Sequence, residues 1–289
     1  MPRMLTLSLT LLAMIAFAGN SLLCRMALKT TGIDAASFTT IRIVSGALVL
    51  WLIVRLRSGS RGIAGSWPSA FALFAYAACF SFAYINLPAA TGALLLFGAV
   101  QVTMIGYGLY KGERLGLPQI VGLIFASGGL LGLMLPGVFA STSSAPSLTA
   151  SALMVGAGCA WGVYSLRGKG VADPTSATAG NFLRAVPFAL ALAAIAWPWT
   201  SVDRDGIGYA IASGALTSGI GYAIWYAALR GLKATRAAVV QLSVPVFAAI
   251  GGIALLGEAV SLRLVIASAA ILGGIALVIL ERSAEPAPR

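Results

Sequence analysis

The sequence has no histidine and only eight acidic residues among its 289. Without histidine there is no imidazole base, no Ser-His or Cys-His nucleophile pair and none of the commonest metal ligand. The three cysteines, Cys24, Cys79 and Cys159, are far apart and lie inside apolar runs, with no CxxC spacing. That excludes a zinc site or disulfide framework and leaves them as small buried residues, so no metal and no cofactor is expected. Charged residues make up only 9% of the chain, where a soluble domain carries about a quarter. What is present instead is apolar, at 59%, with nineteen basic residues and a net charge of +11. The basic residues form no single patch that would suit nucleic acid. They fall in short groups between apolar runs, the pattern of membrane orientation.

Ten runs of about 19–23 residues match the ~30 Å hydrocarbon layer of a bilayer. They cover 5–24, 36–54, 68–87, 90–110, 117–135, 148–166, 176–197, 206–228, 235–256 and 262–280. Alternating strands are absent, so a barrel is excluded and helices are expected, because backbone groups in lipid must be satisfied within the segment. The fold class read here is an all-α membrane protein. Between the runs, 57–62 is a polar, glycine-rich loop, and 141–146 is an uncharged link between halves at 1–140 and 141–289. The stretch 281–289 is a short polar tail.

With the N-terminus inside, thirteen basic residues fall on the cytoplasmic side: Arg3, Arg55, Arg57, Arg61, Lys111, Arg114, Arg167, Lys169, Arg230, Lys233, Arg236, Arg282 and Arg289. Four fall outside: Arg25, Lys29, Arg204 and Arg263. Thirteen against four orients the chain with both termini in the cytoplasm. The first run also resembles a cleaved leader, but its counterpart in the second half favours a retained span.

That counterpart belongs to an internal repeat. A shift of 142 puts Arg25 on Arg167 and Arg42 on Arg184. Further along, a shift of 145 puts Gly106 on Gly251, Gly112-Glu113 on Gly257-Glu258, and Gly128-Gly129 on Gly273-Gly274. Each half holds an odd number of spans, so the second is inverted relative to the first. Inverted repeats are a common plan of secondary transporters, with the site between the halves.

The stretch Gly221-Tyr222-Ala223-Ile224-Trp225-Tyr226-Ala227-Ala228-Leu229 resembles the eighth span of the EamA family in the drug/metabolite transporter superfamily. The resemblance continues through Ala234, Ala237-Ala238, Leu242, Pro245-Val246, Gly251 and Leu256-Gly257-Glu258, and more loosely through Phe38 to Arg42 and Gly112-Glu113-Arg114. It departs at Val100-Gln101, where the second half has Val244-Pro245. The resemblance implies a ten-helix exporter of small metabolites in the inner membrane, with two inverted repeats around a cavity lined by spans 1, 3, 4, 6, 8 and 9. Length and pattern also look like the YddG-type amino-acid exporters.

Within those spans the polar and aromatic residues are the candidate substrate contacts. They are Asn20, Tyr76, Phe80, Phe97, Gln101, Trp161, Tyr164, Ser218, Tyr222, Tyr226 and Gln241. Aromatic faces attract ammonium groups, and amides bind either end of a zwitterion. Near span ends the competing role of such residues is an interfacial belt. Pro245 lacks an N–H and is expected to kink its span, and Gly251 and Gly252 to allow close packing or rocking. Arg42 and Arg184 lie roughly 9–13 Å into their spans, within snorkelling reach of the interface. Their recurrence points to packing or a headgroup contact rather than to substrate. No acid lies near the middle of a span, which disfavours proton exchange and an intramembrane enzyme alike. The expected function is a carrier that exports amino acids, aromatic ones included, driven by the cargo's own gradient. A broader efflux carrier for cationic metabolites is the alternative. The oligomeric state is left open, a monomer being sufficient, and the expected partners are the cargo and the lipid bilayer. A reporter fused after Arg289 should be active only if it works in the cytoplasm; activity of a periplasm-dependent reporter there would invert the topology.

Overall fold

The fold is that of a computed structural model, which describes residues 3–57, 63–112, 116–134, 147–168, 171–229, 240–241 and 243–282. Several sequence features lie wholly or partly outside these: the 57–62 loop, Glu113-Arg114, the 141–146 link, Lys169, Arg230, Lys233, Ala234, Ala237-Ala238, Leu242 and most of the tail.

Among the described residues the regular structure is entirely helical. The helices are α1 (Arg3–Thr30), α2 (Ala35–Leu56), α3 (Trp67–Tyr84), α4 (Ala89–Tyr110), α5 (Leu117–Met134), α6 (Leu148–Gly168) and α7 (Pro174–Ala196). A 3₁₀ turn, Trp197–Trp199, follows α7. Then come α8 (Arg204–Ala212), a π-helical segment (Ser213–Ile220), α9 (Gly221–Leu229), α10 (Val244–Leu256) and α11 (Leu262–Arg282). Seven stretches are long and apolar enough to cross a membrane: α1 to α4, α6, α7 with its 3₁₀ turn, and α8 through Ala228 as one. α5, α10 and α11 contain shorter apolar cores. Large exposed side chains such as Leu11, Phe71, Ile124, Ile195 and Leu255 form the lipid-facing surface.

Acids set where helices start. Asp34 precedes α2 and accepts from Ala36 N and Ser37 N, each at 2.9 Å. Asp173 caps α7 ahead of Pro174, and Asp203 caps α8. Side-chain oxygens at this position satisfy N–H groups that have no partner within the helix. α4 starts at Pro88, which offers no side-chain cap. Its first N–H, on Ala89, donates to Glu258 from beyond α10 at 2.7 Å.

Burial orders the bundle. In α4, 72% of the apolar window is buried, against 33% for α7, so α4 is central and α7 peripheral. Small residues set the closest approaches. A Cβ on Gly158 of α6 would meet Ala99 Cβ and Leu96 O of α4, both at 2.6 Å, and one on Gly162 would meet Thr103 at 2.9 Å. Of each glycine pair in α5 and α11, one member is at a seam. Gly129 lies against Ala270 and Ile271, and Gly274 against Gly122 and Ala126. Gly128 and Gly273 have nothing near them. α2 packs on α7, α3 on α6, and α1 on the π segment, α9 and α10. The expectation that all cysteines are buried needs correcting: Cys24 is buried, Cys79 half-buried and Cys159 exposed on the apolar exterior.

Asp34 also joins two loops, because Ser201 N donates to its second oxygen at 3.0 Å. Partial burial pushes its carboxyl up, but the hydrogen bonds from Ser37, Ser201 and Ala36 outweigh that and hold it below the usual value. A carboxyl whose folded value is depressed stabilises the fold above the unfolded value, and that contribution is lost as pH falls through the folded one. Asp34→Ala should therefore cost about 1 kcal/mol at neutral pH, and the gap from wild type should close in strongly acidic buffer. Thermal unfolding in detergent at both pH values checks it.

Candidate functional site

The π segment is the local irregularity on which the site depends. Bonding from i to i+5 widens the turn, so residues four and five places after Ser213 straddle it on one face. That brings Ser213, Thr217 and Ser218, all buried, to the interior together. Close backbone approach keeps them there. A Cβ on Gly214 would run into Ser45 Oγ and Arg42 O of α2.

Opposite this face lies an internal cavity. Its lining comes from Phe17, Asn20 and Ser21 on one face of α1, Tyr76 and Phe80 one turn apart on α3, Leu96 and Phe97 on α4, Trp161 on α6, Thr217 and Tyr222. The room inside is about 20 Å³, enough for a single water molecule, so a larger occupant requires the surrounding rings to part. No charged side chain lines it. Its walls are a run of rings in contact. Ring centroids are 4.8 Å apart for Tyr76 and Trp161, 5.2 Å for Trp161 and Tyr222, and 5.8 Å for Tyr222 and Phe17. Tilted and edge-on ring pairs at these distances are favourable.

Behind the Tyr76–Phe80 wall lies Arg42. It is 2% exposed and does not snorkel, contrary to the expectation from its depth. Its Nη2 donates to Tyr76 Oη at 3.0 Å and its Nε to Ser218 Oγ at 3.4 Å. The Phe80 and Tyr76 ring centroids lie 4.9 and 5.2 Å from its guanidinium carbon. Tyr76 Oη also accepts from Asn20 Nδ2 at 3.1 Å, and Asn20 Oδ1 accepts from Ser213 Oγ at 2.7 Å. One hydrogen-bonded network thus ties α1, α2, α3 and the π segment together. The repeat mate Arg184 is placed differently. It is half-buried, and its Nη1 donates to Ala64 O at 2.9 Å and Gly180 O at 3.0 Å, closing the connection into α3.

Of the residues singled out from sequence, Asn20, Tyr76, Phe80, Phe97, Trp161 and Tyr222 line the cavity. Ser218 stands behind it on Arg42. Tyr164 is buried against α7, where its hydroxyl meets Thr178 and Asn181. Gln101 is buried on α4 and Gln241 half-buried, both outside the lining. Tyr226 lines a separate open pocket with Ile53, Arg57, Pro174 and Thr175. Pro245 does not kink a continuous helix. The chain turns at Ser243, and Pro245 sits in the first turn of α10, where no N–H is needed. Gly251 packs against Leu22 of α1, and Gly252 against Glu258 and Ala89. Sequence reasoning missed Phe17, Ser21, Leu96 and Thr217. Phe17 stands three residues before Asn20 and four before Ser21, helical spacings that share a face.

At the end of the bundle where α1 finishes, the halves are joined by polar groups. Arg25 Nε is 3.2 Å from Glu258 Oε1, and its Nη1 donates to Tyr84 O and Ile85 O at 2.8 Å each. Lys29 donates to Leu256 O at 3.1 Å. At the other end Arg57 and Asp173 make a looser, exposed pair at 3.8 Å.

A helical bundle with a large apolar exterior and a small, uncharged interior cavity defines a multi-pass membrane protein. The profile of the EamA-like transporter family matches residues 148–280. A Pseudomonas aeruginosa protein described as uncharacterised is 55% identical over 283 residues, 98% of this chain and 97% of its own. An uncharacterised transporter of Archaeoglobus fulgidus is 26% identical over 250 residues, 83% of this chain and 85% of its own. A solved crystal structure shares the fold with a TM-score of 0.64 at 19% identity, over 96% of this chain and 99% of that one. Residues 148–280 carry an EamA-like transporter domain, the mark of a membrane transporter.

Tyr76→Phe keeps the ring but removes the oxygen that two buried donors share. Unfolding in detergent should fall by about 1–3 kcal/mol, the cost of stranding buried polar groups. An unchanged midpoint would mean that the Arg42–Tyr76–Asn20 network carries no stability.

Proposed function

We propose that this protein is an inner-membrane carrier that exports amino acids, aromatic ones included, by alternating access between two inverted five-span repeats. The observation that carries the reading is the cavity itself. Its walls are aromatic, its polar groups are neutral, and it draws on α1, α3 and α4 from 1–140 and on α6, the π segment and α9 from 141–289. Ring faces suit an ammonium group or an aromatic side chain, and the Asn20 amide can serve either end of a zwitterion.

Packing supports the repeat. Gly129 and Gly274 are mates at a shift of 145, and each lies against the helix that carries the other. α2 and α7, which carry the mates Arg42 and Arg184, pack side by side. The excess of positive charge on one set of loops supports cytoplasmic termini, so the Arg25–Glu258 junction faces outward. In this reading the junction closes the outer mouth, and export requires it to part. The lining carries no carboxylate to take up a proton, which supports movement down the cargo's own gradient.

Reconstituted protein should move labelled phenylalanine saturably, at a rate unchanged when a proton gradient is collapsed. Trp161→Ala should raise the half-saturation concentration about tenfold, as expected for losing one ring contact worth ~1–2 kcal/mol. Absence of saturable amino-acid movement would contradict the reading.

A further inference from the structure

We infer that Arg42 is the receptor for an anionic group of the cargo, a carboxylate, and that it makes the site selective against cations. This rests on the carrier reading above and deepens it. Three observations carry it. First, Arg42 is buried with no carboxylate beside it among the described residues. Asp34, Asp173 and Asp203 stand at helix starts, Asp205 in the first turn of α8, Glu258 on Arg25, and Glu281 at the last turn of α11. A buried cation held only by neutral groups is costly unless an anion joins it. Second, the guanidinium is incompletely used. Nη2 and Nε have partners, while Nη1 is buried and has none among the described residues. Third, only one layer of side chains separates it from the cavity. Tyr76 and Phe80 line the cavity and also flank the guanidinium.

The geometry of binding follows. Nη1 donates to one carboxylate oxygen, and as the Tyr76 ring turns aside, Nη2 passes from Tyr76 Oη to the other. Paired N–H donors match a carboxylate in a way that the point charge of lysine does not. Asn20, released from Tyr76 Oη by the same movement, gains a free Nδ2 at the cavity wall. The seam at Gly214 holds the α2 backbone against the π segment, so the ring moves rather than the arginine's anchor. The rest of the cargo enters between Phe17, Trp161 and Tyr222, whose rings part to admit it, because the cavity between them has room for about one water. A cargo with a positive charge and no carboxylate meets an uncompensated cation there and is rejected.

The test is a panel of four phenyl compounds on the full-length protein. They are phenylalanine, its methyl ester, phenylpropionate and phenethylamine. Each is measured by competition with labelled phenylalanine in proteoliposomes and by thermal stabilisation of protein in detergent. The acid-bearing pair should bind, and the two without a carboxylate should be weaker by about tenfold or more. Arg42→Gln should abolish that preference, and Arg42→Lys should retain part of it. If Arg42→Gln does not fold, Arg42→Lys and the wild-type panel carry the test. The inference is overturned if the ester and amine bind wild type as well as the acids do, or if a folded Arg42 variant keeps the full preference. Saturable phenylalanine transport with an equally effective ester would sink this inference and leave the carrier reading standing. Phenylpropionate binding without the ester, and with no amino-acid movement, would do the reverse. Binding of none of the four would overturn both.

Discussion

A guanidinium withdrawn from water must be held by oxygens and ring faces when no carboxylate accompanies it, and that constraint organises the centre of this molecule. Arg42 draws Tyr76 from α3, Ser218 from the π segment and, through the Tyr76 hydroxyl, Asn20 from α1. Each partner is fixed in turn by a second bond or by glycine-mediated contact. Gly214 lets the π segment, which turns Ser213, Thr217 and Ser218 inward, lie on the α2 backbone. Remove the cation, and the reason for gathering these groups disappears. The cavity lies where the same tyrosine presents its ring to the other side.

Arg42 and Arg184, mates at a shift of 142 in the repeat read from the sequence, have different surroundings. Arg184 bridges carbonyls where the chain enters α3, at one edge of the bundle. Arg42 is enclosed at its centre. The Arg25 and Arg167 mates diverge in the same way. Arg25 reaches Glu258 and two carbonyls, while Arg167 donates to Ser69 Oγ at 3.0 Å.

Much of the fold was legible because lipid enforces a simple grammar: apolar length, polar interruptions and positive loops. The helix limits lie within a few residues of the runs read from sequence for α2, α4, α6 and α11. α1 extends to Thr30, six residues past its apolar run, because Arg25 and Lys29 find carbonyls across the bundle that a sequence does not display. The aromatic members of the site were legible from spacing along single helices, as with Tyr76 and Phe80. Arg42 was misread, because its depth along α2 is compatible both with snorkelling and with enclosure. Only the packing of α2 on α7 and the π segment separates the two. The π segment itself has no periodicity signal, since Ser213, Thr217 and Ser218 look like an ordinary polar stripe. Pro245 was expected to kink a span, but a proline can bend a helix or begin one, and the turn at Ser243 places it in the first turn of α10.

The most direct measurement is an experimental structure with an aromatic amino acid bound. The account predicts its carboxylate within hydrogen-bonding distance of Arg42 Nη1, the Tyr76 hydroxyl displaced from Nη2, and the side chain among Phe17, Trp161 and Tyr222. A ligand seated elsewhere, or one in this cavity with Arg42 still on Tyr76 and its Nη1 unoccupied, would contradict it.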